Sequence, residues 1–60
     1  MLPRFYPIVP DAGWVRRIVP HGVKLIQLRI KGVPRAEIAH AIRQALQVCE
    51  EHGCELAVND

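Results

Sequence analysis

Aromatic side chains are scarce in this sequence, and Phe5, Tyr6 and Trp14 are its whole supply. Three rings are too few for a base-stacking platform, and the basic residues do not line one helix face, so nucleic acid is not an expected partner. The formal net charge of +2 is modest. Also missing is any apolar run of membrane-spanning length. Pro3, Pro7 and Pro10 break up the opening segment that a signal peptide would need to keep apolar. These absences predict a cytoplasmic protein with neither a membrane nor a nucleic-acid partner. Cysteine is nearly absent too, with only Cys49 and Cys54. In a reducing compartment they are expected as free thiols. His52 lies between them, but the spacing matches no common zinc pattern and a fourth ligand is lacking.

What is present is a globular composition, half of it apolar, in 60 residues. A chain this short is at most one small domain and on folding alone would bury only about 60% of the surface its unfolded form exposes. A core of that size is marginal without a disulfide, a metal or a partner surface.

The chain is organised around Lys24-Leu25-Ile26-Gln27-Leu28-Arg29-Ile30-Lys31. Side chains alternate along a strand, which puts Leu25, Gln27, Arg29 and Lys31 on one face and the apolar Ile26, Leu28 and Ile30 on the other. The polar face closes on an amide and two cations at the C-terminal end, where parallel α/β sheets place their ligands. An arginine offers a planar fork to two phosphate oxygens and a lysine a point charge, so the pair suits a diphosphate. A solvated strand face with two surface cations has the same spacing.

Around this strand the pattern predicts a β-α-β-α-β chain of the α/β class. A first strand is expected over Arg4–Val9, with Pro7 confining it to a sheet edge. Asp11 is placed to cap a helix over Gly13–Val19 with a Trp14, Val15, Ile18, Val19 stripe, ended by Pro20. His21-Gly22 turns the chain into the central strand, Val23–Arg29. Ile38, Ala41, Ile42, Ala45, Leu46 and Cys49 form the stripe of a helix over Pro34–His52, with His40 on its polar face. Gly53 ends that helix, and Glu55–Val58 is the third strand. An internal repeat, His21-Gly22-Val23-Lys24-Leu25-Ile26 against His52-Gly53-Cys54-Glu55-Leu56-Ala57, has an offset of 31 residues, about one βα unit. Parallel strands would bring Gln27, Arg29, Lys31, Asn59 and Asp60 to one rim. There Asp60 can hold a Mg²⁺ that bridges phosphate oxygens, while Gln27 and Asn59 orient a polar ring. Asn59-Asp60 is equally the composition of a turn.

Gln27-Leu28-Arg29-Ile30-Lys31 with Asn59-Asp60 closing the next strand resembles the N-terminal part of the thiamine phosphate synthase (thiamine-phosphate pyrophosphorylase) family. The similarity runs from Phe5-Tyr6-Pro7-Ile8-Val9 to Asp60. The resemblance implies that residues 1–60 are a single partial domain, the first βα units of a TIM (β/α)₈ barrel. It also implies an enzyme, a transferase of thiamine biosynthesis that condenses hydroxymethylpyrimidine diphosphate with thiazole phosphate and releases pyrophosphate. By the same resemblance Gln27, Leu28, Arg29, Ile30, Lys31 and Asn59 contact the pyrimidine diphosphate and Asp60 is a Mg²⁺ ligand. Many members have a glutamate where this chain has Ile30. Alternatives are a thiazole tautomerase on the same scaffold, a non-catalytic fragment and a small binding module. The 60 residues alone are expected to be inactive and to self-associate through an exposed sheet edge.

Overall fold

The structure is a computed structural model that describes residues 6–59. Three strands, β1 (Ile8–Val9), β2 (Leu25–Leu28) and β3 (Glu55–Val58), alternate with two helices, α1 (Ala12–Ile18) and α2 (Arg35–His52). The sheet has the order β1-β2-β3 and every pairing is parallel. The expected element order and α/β class are therefore present, with three parallel strands rather than a closed barrel. Of the expected first strand, Arg4 and Phe5 lie outside the described residues. Pro7, which has no N–H to offer, sits beside the edge strand β1 and accepts from the Gln27 N–H at 2.9 Å.

The helix ends follow from local chemistry. Asp11 is extended at the N-cap of α1 and its carboxylate accepts from the Trp14 N–H at 3.0 Å. As expected, α1 ends before Pro20, with Val19 as its C-cap. Pro20 itself occupies the first turn of a 3₁₀ segment, Val19–His21, where a missing N–H is no loss, and Gly22 at φ 98° then turns the chain. Pro34 has ψ 153°, so α2 begins one residue later than expected, at Arg35. At the other end Gly53 takes φ 66°, and the Cys54 N–H reaches back to the Cys49 carbonyl at 2.8 Å. Both cysteines are free and buried, and they touch across this turn.

Helices α1 and α2 pack against each other and against the sheet. Between them lies one core of Val9, Ala12, Val15, Val19, Ile26, Leu28, Ala45, Cys49 and Cys54. Of the expected stripe members, Ile18, Ala41 and Ile42 pack against it half-buried, Ile38 is half-buried, and two are exposed. Trp14 is 44% exposed and Leu46 also 44%. Each is one residue, about 100° of helix rotation, from a buried neighbour: Trp14 precedes Val15 and Leu46 follows Ala45. The Arg17 guanidinium covers the Trp14 ring instead, 5.6 Å from its centroid.

The register differs from the internal repeat. The repeat matches Leu25 with Leu56, whereas the sheet pairs Leu25 with Glu55 and Ile26 with Leu56. Two residues, Val23 and Lys24, separate Gly22 from β2, but Cys54 alone separates Gly53 from β3. A shift of one residue exchanges the two faces of a strand. The observed pairing keeps Leu56 on the core side with Ile26, and sends Glu55 and Ala57 to the opposite face with Leu25 and Gln27.

Candidate functional site

Because paired residues in a parallel sheet share a face, Ile8, Gln27 and Ala57 stand side by side on the face turned away from the helices. Ile8 is 57% exposed there, and among the described residues no helix covers this face. Arg29 and Asn59 follow one residue beyond the last paired positions, Leu28 and Val58, at the C-terminal end of the sheet. The ladder continues through their backbones. The Arg29 N–H donates to the Val9 carbonyl at 2.9 Å and the Asn59 N–H to the Leu28 carbonyl at 3.0 Å. Both side chains are exposed, as is Lys31, which precedes Gly32 at φ 76°. The side-chain hydrogen bonds among the described residues lie elsewhere, at Trp14–Asp11, Gln47–Glu51 and Cys54–Glu55.

The structure thus brings Gln27, Arg29, Lys31 and Asn59 to the rim expected of them. Leu28 is different in kind. Its side chain is 0% exposed in the core, so only its backbone can serve the rim. Ile30 points to the apolar side and lines a groove of about 210 Å³ with Arg35, Ile38, Ile42, Val58 and Asn59. Asp60 lies outside the described residues, and within them no group of three histidine, cysteine or acidic residues converges on a metal site.

The sequence pattern overlooked Arg35. As the first residue of α2 it stands at the sheet's C-terminal end, where it adds a third cation beside Asn59. The signal was Pro34, which fixes where the helix starts and therefore which side chain stands at its top. Electrostatically the rim carries cations just after β2 and at the start of α2 with no buried charge to hold them, since no polar side chain is buried among the described residues. Exposed guanidinium and ammonium groups around a single sheet end can engage an anion.

Comparison with known proteins decides the lineage. The sequence model of the thiamine monophosphate synthase family matches residues 6–60. The chain belongs to this family. It is 50% identical over 56 residues to the thiamine-phosphate synthase of Rhizobium etli, covering 93% of the chain and 28% of that protein. It is 36% identical over 55 residues to the thiamine-phosphate synthase of Photorhabdus laumondii, covering 92% of the chain and 26% of that protein. That of Neisseria meningitidis serogroup A is 35% identical over 57 residues. The chain therefore spans little more than a quarter of the length of these relatives. No solved structure matches it. No helix among the described residues is long and apolar enough to cross a membrane.

Proposed function

We propose that this chain supplies the diphosphate-gripping rim of a thiamine phosphate synthase. The reaction would join hydroxymethylpyrimidine diphosphate to thiazole phosphate, giving thiamine phosphate and pyrophosphate. The observation that carries the reading is the parallel register, which sets Arg29 beside Asn59 at the strand ends with Lys31 next along. When the carbon–oxygen bond to the diphosphate breaks, negative charge grows on the departing oxygens. Arg29 and Lys31 meet that charge, and interactions that strengthen as it develops lower the barrier. Gln27 and Asn59 orient the pyrimidine through their amides. Asp60, next after Asn59, is the proposed Mg²⁺ ligand, which fits a metal commonly held by one or two carboxylates plus substrate phosphates; the ion would neutralise leaving-group charge.

This reading also takes the three parallel strands as the opening units of a (β/α)₈ barrel in a cytoplasmic enzyme. The open face with Ile8 and Gln27 would then look into the barrel, and the free edge of β3 would either pair with a further strand or self-associate. The test uses the intact protein with both substrates and Mg²⁺. Arg29→Ala should lower kcat/KM by at least a hundredfold, and Arg29→Lys should recover part of it, since the lysine keeps charge but loses the fork. Asp60→Asn should raise the Mg²⁺ concentration required. Full activity of Arg29→Ala refutes the proposed grip on the diphosphate, and Mg²⁺-independent proton transfer on the thiazole in place of condensation refutes the synthase reading in favour of a tautomerase.

A further inference from the structure

Two nucleophilic side chains, Cys49 and Cys54, play no part at the rim. Residues five apart in an uninterrupted α-helix are separated by about 7.5 Å along its axis and point in different directions, so their side chains do not meet. Here Gly53, at φ 66°, reverses the chain. Its N–H and that of Cys54 both close on the Cys49 carbonyl, the latter at 2.8 Å. A bond of that length between one cysteine's carbonyl and the other's N–H holds the two Cα atoms within about 6.7 Å, inside the roughly 4.4–6.8 Å that a disulfide spans. The thiols also touch, so the two Cβ vectors converge. Both residues belong to the same buried core, and the Cys54 thiol donates only a weak bond, to the Glu55 carbonyl at 3.5 Å.

We propose that Cys49 and Cys54 are a modification site, a thiol pair that hydrogen peroxide converts to a reversible intrachain disulfide latching the end of α2 to the start of β3. Cys54 is 8% exposed and Cys49 0%, so the oxidant meets Cys54 first. Burial also keeps the Cys49 thiol protonated, which makes it the poorer first nucleophile. Peroxide transfers an oxygen to the Cys54 sulfur, giving a sulfenic acid and one water. The Cys49 sulfur then attacks that sulfur, the S–O bond breaks, and a second water leaves. Two thiols have given up two electrons and two protons, and one peroxide has become two waters. Because the backbone already meets the distance condition, the bond can close by rotation of the two side chains. A dithiol reductant reopens it by exchange. The latch lies at the N-terminal end of β3, opposite Asn59, so it ties down the frame and leaves the rim alone.

The experiment treats the intact, folded protein with hydrogen peroxide, quenches it, alkylates the remaining thiols in denaturant and maps the tryptic peptides by mass. No lysine or arginine follows Arg43 as far as Asp60, so one peptide beginning at Gln44 carries both cysteines. After peroxide that peptide should escape alkylation and be lighter by two hydrogens than its unalkylated dithiol form. Dithiothreitol given before alkylation should restore two alkylated cysteines. With dimedone present during oxidation, Cys49→Ala should accumulate the sulfenic-acid adduct on Cys54, because the resolving sulfur is gone, while wild type should carry at least tenfold less of it. The wild-type map decides the matter even if the variant fails to fold. Two alkylated cysteines in the peroxide-treated wild type overturn the proposal, and so does a bridge from either cysteine to any other thiol. A wild-type adduct on Cys54 as abundant as in Cys49→Ala overturns it too, since Cys49 would then not resolve the sulfenic acid.

Discussion

Truncating Leu28 to alanine separates the scaffold from the chemistry. Leu28 sits in the rim motif between Gln27 and Arg29, yet its side chain is 0% exposed beneath the helices. The change deletes three buried carbons, at roughly 0.8 kcal/mol each or about 2.4 kcal/mol of transfer free energy. The sheet and helices around it close the hole only partly, and the residual cavity brings the expected loss to about 3–4 kcal/mol. Against a typical domain stability of roughly 5–15 kcal/mol this is a large fraction. Urea unfolding of the intact protein should show a lower midpoint with an unchanged m-value. At a temperature where both variants are folded, KM for the pyrimidine diphosphate should stay within about twofold. Leu28→Met, which conserves volume, should lose less than about 1.5 kcal/mol. A loss below about 1 kcal/mol for Leu28→Ala, or a tenfold rise in KM at unchanged stability, would show that the side chain faces the ligand and that the assignment of faces is inverted.

Two further predictions concern the turn between α2 and β3. A Cβ added at Gly53 meets nothing within 4 Å, so Gly53→Ala is opposed only by its backbone angle of φ 66°. It should cost roughly 1–2 kcal/mol, and Gly53→Asn less, by thermal unfolding; a neutral Gly53→Ala would refute the left-handed turn. Burial, together with the neighbouring Cys54, pushes the Cys49 thiol from its ordinary 9.0 up to about 11. The folded state keeps this proton longer than the unfolded state does. Its contribution to stability is therefore intact below pH 9 and is lost as pH rises toward 11, a change of roughly 2–3 kcal/mol. Wild type should lose stability over that window more steeply than Cys49→Ala, and equal slopes would remove Cys49 from the balance.

The central strand was legible because two periodicities agree in it. Ile26 and Leu28 alternate with Gln27 and Arg29, so one reading of the pattern gave the core face, the open face and the end that carries cations. The long helix was legible for the same reason, since Ala45 and Cys49 repeat at one turn and Gly53 marks the stop. Less visible was which neighbours the stripes would meet. Trp14 and Leu46 belong to the apolar pattern, but whether the margin of a stripe is covered depends on the angle of the partner element, which no local pattern encodes. The register escaped the repeat because Gly22 and Gly53 are followed by connections of unequal length, and a single residue decides the face. At the rim, Gln27, Arg29, Lys31 and Asn59 were legible from strand direction alone. Arg35 was not, because it reaches the rim from a helix start and belongs to a different element.

The backbone bonds at the rim bear on how such a site can change over time. The N–H groups of Arg29 and Asn59 are tied into the ladder, while both residues are exposed and belong to no part of the buried core. Substitution at these positions varies the chemistry presented to a ligand with little penalty to the frame, whereas Ile26, Leu28 and Leu56, one step away on each strand, answer to the core. Mutational drift can therefore explore new ligands at alternate positions of β2 and β3 while selection for stability holds the intervening ones nearly fixed. A short parallel sheet of this kind carries two independently adjustable sets of residues interleaved in the same few positions.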